Sequence, residues 1–160
     1  MAESDNAPAW PGMDPASLLL IVVGAHLRAE AADRPLAYRL AARVSAWLDE
    51  HAEALEVHFQ PIVCSDIWYL NHEVLHTRPT VSIGGPGVNA LSGYFGQKLD
   101  PAVLADNKMV IQLDPEFVDL RACVWGMDHD LTVQAVELFI AKYLDGFLRA
   151  VATQVEPKTE

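Results

Sequence analysis

The chain has 160 residues, 51% of them hydrophobic, and a formal net charge of −11 from 22 acidic against 11 basic residues. That size and apolar content suit one packed domain and exclude a largely disordered chain. The acidic balance speaks against nucleic acid and anionic membrane surfaces, which need a basic patch to displace counterions; Arg28, Arg34, Arg39 and Arg43 are interspersed with acids.

Residues 1–16 and 154–160 read as flexible arms around a single α/β domain at 17–153, with Trp10 able to pin the first arm to the body. Residues 18–24, L-L-L-I-V-V-G, form a continuous apolar run ending at glycine, the pattern of a strand buried on both faces of a parallel sheet. The run is too short to span a membrane, and Glu3 and Asp5 precede it instead of the basic flank of a signal peptide. A cytoplasmic protein is expected. From Asp33 to about Glu53 the period turns helical: Leu36, Leu40, Val44, Trp47 and Leu48 share a stripe, Asp33 can cap, and Pro35 fits the first turn.

Residues 57–64 predict a second strand, with Pro61 marking an edge or a bulge. Residues 66–78 predict a short helix or ordered loop, and 80–83 a third strand. That strand runs into G-G-P-G-V-N and a helix through about Leu99, with Pro86 in its first turn. Residues 109–113 and 120–125 predict two more strands. The segment between them, D-P-E-F-V-D, is too short for a crossover helix, so they should pair as an antiparallel hairpin. The last helix is capped by Asp128 or Asp130 and carries Val133, Val136, Ile140, Tyr143, Leu144, Phe147 and Val151 at helical spacing. Leu138 and Phe139 widen that stripe, and a homodimer through this helix is one expectation.

In such sheets ligands gather beyond the carboxyl ends of the strands. Gly85 to Ala90 reads G-P-G-V-N-A, a match to G-x-G-x-x-[GA] placed after a strand and before a helix. Glycines there permit positive φ and close approach of backbone amides to an anion, and the helix start adds positive potential. The alternative is a tight, close-packed turn. Asp114 ends the next predicted strand, where a ribose-binding acid would sit, and Asp128 in the D-H-D stretch can face a cation or a ligand hydroxyl. The expected ligand-binding set is therefore Gly84, Gly85, Gly87, Asn89, Asp114 and Asp128.

His72, Glu73 and His76 spell H-E-x-x-H, in which two histidines hold zinc and the glutamate is general base. Pro79 stops the helix this motif needs, and the third ligand has no evident source among His51, His58 and His129, so a hydrogen-bonded histidine pair is the alternative. Cys64 and Cys123 sit in apolar runs and read as buried free thiols. Cys64 with His72 and Asp66 as a nucleophilic set lacks an activating cation or helix end.

The turn at Gly84, Gly85, Pro86 and Asn89, followed by Gly126, Asp128, Thr132 and Ala135, resembles a Rossmann-like module of archaeal S-layer-type proteins. There one strand ends in G-G-P-x-x-N and a later one in G-x-D-x-x-x-T-x-x-A. The similarity spans roughly residues 80–148 and implies fold more than activity. Element order and resemblance together predict a three-layer Rossmann-like or flavodoxin-like sandwich: a mostly parallel sheet of about five strands with one antiparallel edge strand. The expected function is binding of a small anionic ligand, nucleotide or phosphate-like, at the 84–89 turn without a catalytic constellation. The alternatives are a zinc-assisted hydrolase and a non-catalytic assembly module.

Overall fold

The computed structural model describes residues 14–55, 59–106 and 108–154; residues 1–13 with Trp10, residues 155–160, Val57 and His58 lie outside the described residues. The first strand, β1 (Leu18–Val23), is buried along its whole length because it is covered on both faces. Leu19, Ile21 and Val23 feed one apolar cluster and Leu18, Leu20 and Val22 the other. Each such side chain contributes roughly 1.5–3 kcal/mol relative to an exposed one.

After β1 come α1 (Leu27–Ala32) and α2 (Arg34–Leu55), then β2 (Gln60–Ser65), α3 (Asp66–Leu70), a 3₁₀ turn (Glu73–Thr77) and β3 (Thr80–Ile83). Helix α4 (Ala90–Lys98) leads to β4 (Pro101–Ala105), β5 (Met109–Leu113) and β6 (Arg121–Gly126), and α5 (His129–Lys142) and α6 (Leu144–Gln154) close the chain. The fold is mixed α/β. Its six-stranded sheet runs β2-β1-β3-β6-β5-β4, with β2, β1, β3 and β6 parallel and an antiparallel pair at one edge. Helices α2, α5 and α6 pack in the first cluster, while α3 and α4 supply Tyr69, Leu91 and Phe95 to the second. Among the described residues no helix is long and apolar enough to cross a membrane.

Strands β1 and β3, the edge position of Pro61 in β2 and the β5–β6 hairpin follow the sequence expectation. The strand count does not: β4 is a sixth strand, paired antiparallel with β5. Its hairpin turns at Asp106, which takes φ 55, a left-handed conformation that Asp tolerates better than most side chains. Helix α4 begins at Ala90, so Pro86 belongs to the turn before it. The final helix is two helices. It breaks at Tyr143 (φ −120, ψ −20), which re-aims α6 so that Phe147 meets Phe139 and Phe117 edge-on. Phe139 is fully buried, and Leu138, partly buried, packs against the same cluster.

Candidate functional site

The 84–89 turn is built by three residues that leave little freedom. Gly84 adopts φ +106, open to glycine and strained for other residues. A Cβ on Gly24, at the end of β1, would overlap the carbonyl oxygen of Val88, so β1 and the turn touch backbone to backbone. Asn89 is 1% exposed and spends its whole amide on the protein. Its Oδ1 accepts from the Leu91 and Ser92 amides at 2.9 and 3.3 Å, capping α4. Its Nδ2 donates to the Ile83 carbonyl at 2.9 Å, Ser82 Oγ at 3.0 Å and the Val22 carbonyl at 3.3 Å.

The remaining amide at the start of α4 is taken as well. Asp66 Oδ2 accepts from the Ala90 amide at 2.8 Å, while Oδ1 accepts from Ala25 at 3.0 Å and Ile67 at 2.7 Å. A buried carboxylate thus stands where a bound anion would stand, at the crevice between the loops after β1 and β3. That crevice is filled by the protein itself.

The open space lies one strand over. Beyond the ends of β3 and β6 a cleft of about 640 Å³ is walled by the turn (Gly85, Pro86, Gly87, Val88), by Arg28, Ala31, Ala32 and Asp33, and by Trp125 through His129 with Thr132. Asp128 caps α5, accepting from the Leu131 amide at 2.8 Å. Thr132 Oγ1 accepts from the Gly126 amide at 3.0 Å and donates to the Asp128 carbonyl at 3.0 Å, closing the β6–α5 turn. The β3–α4 and β6–α5 turns thus face one cleft.

Asp33 is the unusual group here. It is 6% exposed and lines the cleft, and a Cβ on Gly84 would fall 2.5 Å from its carboxylate oxygen. Its side chain does not cap α2 as the sequence suggested: Asp33 is helical (φ −95, ψ −31) at the end of α1, and only its carbonyl serves α2, accepting from Ala37. No hydrogen bond from a described residue reaches the carboxylate; burial pushes it above the ordinary carboxylate range, opposed by the charges of His129 and Arg28.

A proton held more tightly in the folded state means that stability falls as pH rises from the unfolded value, about 3.9, through the higher native one. Asp33→Asn should therefore raise the melting temperature of the ligand-free protein at neutral pH. The difference from the parent should vanish in acid below the ordinary carboxylate range, as thermal unfolding across pH will show. A variant less stable than the parent at neutral pH would mean the carboxylate has a stabilising partner.

Of the residues expected to bind ligand, Gly85, Gly87 and Asp128 meet in the cleft, Gly84 lies against Asp33, and Asn89 is internal. Asp114 is elsewhere. Strand β5 runs antiparallel, with Leu113 opposite Ala122 near the start of β6, so Asp114 lies at the other end of the sheet from Gly84. It ties its own loop, accepting from the Glu116, Val118 and Asp119 amides at 3.0, 3.0 and 3.1 Å, and these bonds hold it below the usual carboxylate range.

His72 and His76 do not share a helix face, because α3 stops at Leu70 and Glu73 opens a 3₁₀ turn. Each donates a ring N–H to a carbonyl in the last turn of α3, His72 to Trp68 at 2.7 Å and His76 to Tyr69 at 2.9 Å. Among the described residues no group of three or more His, Cys, Asp or Glu could hold a metal ion. Cys64 and Cys123 are free and buried, and burial pushes their thiols up to about 12 and about 11, far from a reactive thiolate.

Sequence reasoning missed Asp33, Arg28 and Trp125. For Asp33 a signal existed: it is in phase with Leu36, Ala37, Leu40 and Val44, all buried, and a carboxylate on a buried stripe needs a reason. Comparison with known proteins assigns no family: no family model matches the chain and no curated protein matches it significantly.

Proposed function

We propose that the chain is a ligand-binding α/β domain of three-layer, Rossmann-like build whose cleft takes a small anionic ligand of the nucleotide or phosphate class. The 84–89 turn forms one wall of that cleft and not the anion seat itself. The observation that carries the reading is the cleft of about 640 Å³ beyond the ends of β3 and β6, lined by Arg28, on which Asp33 opens as an acceptor for a donor group of the ligand. An acceptor facing a cleft in this way is completed by water or by a donor on the ligand.

The surroundings support an anion nearby. Arg28 brings positive charge to the cleft, and α5 begins there, its first turn capped by the Asp128 carboxylate. Its size falls in the range of ordinary small-molecule sites, and Trp125 and Pro86 supply apolar wall.

Thermal unfolding against nucleotides, sugar phosphates and inorganic phosphate tests this. A ligand at a hundred times its dissociation constant adds about 2.7 kcal/mol, a shift of several degrees at this size. Gly87→Val is the diagnostic variant. Nothing lies within 4 Å of a Cβ at Gly87, so the fold should survive with the side chain standing over the cleft. The expected result is a melting temperature near that of the parent and no ligand shift. An undiminished shift in Gly87→Val would place binding elsewhere.

A further inference from the structure

We propose that the open edge of β2, with the groove beside it, is an interface at which a second copy of this chain pairs strand to strand about a two-fold axis at Val63. The surface is separate from the cleft beyond β3 and β6 and stands independently of it.

The groove, about 440 Å³, runs between α2 and the outer side of β2, with Tyr38, Ala41, Ala42 and Ser45 on the helix and Pro61 and Val63 on the strand. None of its lining residues is charged, and Tyr38 is 56% exposed in it. On a chain of net charge −11, an uncharged strip is where two copies meet with least repulsion. Strand β2 ends the sheet, and no described residue pairs with its outer side. An open, uncharged edge is a template for another strand. The opposite edge, β4, is blunted: its register with β5 shifts between Pro101 and Val103, whereas β2 holds an unbroken register with β1.

The hydrogen-bonding groups of β2 select the occupant. Pro61 has no N–H to give, and a proline fits a paired strand where that side faces away from its neighbour. Alternation then turns the N–H and C=O of Val63 and Ser65 to the same open side. A two-fold axis normal to the sheet makes the two edges antiparallel and the contact isologous. Centred on Val63, it lets the two Val63 residues exchange both of their bonds and sets each Ser65 N–H on the Pro61 carbonyl of the other copy. The donor that Pro61 lacks would face the Ser65 carbonyl, which is already taken: Ser65 is the N-cap of α3, and an N-cap carbonyl accepts the first bond of its helix. The outer side of β2 is thus complementary to itself. Over the same edge the small side chains of Ala42 and Ser45, both exposed, let α2 approach its counterpart. At six residues β2 is roughly 20 Å long, and at 22 residues α2 is roughly 33 Å. Contact along the strand and the adjoining turns of α2 covers on the order of 600 Å² per copy, against roughly 800 Å² in a standard interface, which suits a dimer of micromolar affinity.

The test is sedimentation velocity of the full chain from about 1 to about 500 µM, with amide hydrogen exchange at both ends of that range. A monomer–dimer equilibrium is expected, with the Val63 and Ser65 amides protected only at the higher concentration. Ala42→Glu sets an acid on an exposed helix position facing its own copy, so the circular dichroism of the parent should be kept while dimerisation weakens by roughly tenfold or more. Leu104→Glu, on the 52% exposed position of β4, should leave the dimer unchanged. A dimer that resists Ala42→Glu, that Leu104→Glu dissociates, or that leaves the Val63 and Ser65 amides exchanging freely would overturn the proposal. So would a monomer at every concentration, and protection of those two amides in that monomer would mean that another part of the chain covers the edge.

Discussion

Asn89→Asp should lower stability by about 3 kcal/mol, several times what the same exchange does at an exposed helix start. Aspartate caps as well as asparagine, so the Leu91 and Ser92 amides keep their acceptor. The loss comes from the other end of the side chain. Nδ2 donates to carbonyls at the ends of both β1 and β3 and to Ser82 Oγ in a site 1% exposed. A carboxylate oxygen there meets two carbonyl oxygens, leaves them unsatisfied and buries a charge. At this chain length the expected fall in melting temperature is roughly 6–12 °C. A loss below about 1 kcal/mol in denaturant unfolding, the scale of one helix cap, would show that the β1–β3 tie is not what Asn89 contributes.

Gly24→Ala should be at least as damaging, about 3 kcal/mol or more, although it adds one methyl group. That methyl would occupy the space of the Val88 carbonyl oxygen. Overpacking commonly costs about 1–3 kcal/mol when side chains can shift, and here the obstacle is backbone. The turn cannot retreat cheaply, because the Val88 and Asn89 amides both bond the Gly85 carbonyl, at 3.1 and 3.0 Å, and Asn89 is anchored below. Since the turn also walls the cleft, whatever Gly24→Ala protein folds should bind ligand poorly, whereas Gly87→Val should be near the parent in stability and deficient only in binding. The contrast between two glycine substitutions on one turn separates packing from site: loss of stability in both would mean that Gly87 also packs.

The two variants bear on how a glycine-rich turn is read. G-x-G-x-x-[GA] after a strand was expected to present amides and a helix start to an anion. In the folded chain Asn89 and Asp66 take the amides of Ala90, Leu91 and Ser92, and a carboxylate fills the crevice. The glycines do serve close backbone approach, to Val88 from Gly24 and to Asp33 from Gly84. The motif was legible as a turn, and its partner was not: Asp66 lies 24 positions before Ala90 and meets it only after β2, α3 and β3 are in place.

What local sequence determined is the set of elements whose burial is written in their own period. The run of β1, the stripe of α2, the strand at Thr80–Ile83 and the short link that makes β5 and β6 a hairpin are each settled within a few residues, because burial on one face or two selects the side chains directly. The net charge of −11 and the turn at 84–89 belong with them. Tertiary structure decided the rest. Strand β4 pairs only because β5 offers it an edge, and the break at Tyr143 places Phe147 against Phe117 and Phe139. Asp114 is carried to the far end of the sheet because its strand runs antiparallel, a direction that no residue near it encodes. Asp33, which looks locally like a helix cap, becomes a cleft carboxylate because β3 brings Gly84 beneath it and β6 brings His129 close enough for its charge to be felt. Local period records which face is buried; which residues meet at a strand's end depends on the order and direction in which strands join the sheet, and that is settled only by packing between distant segments.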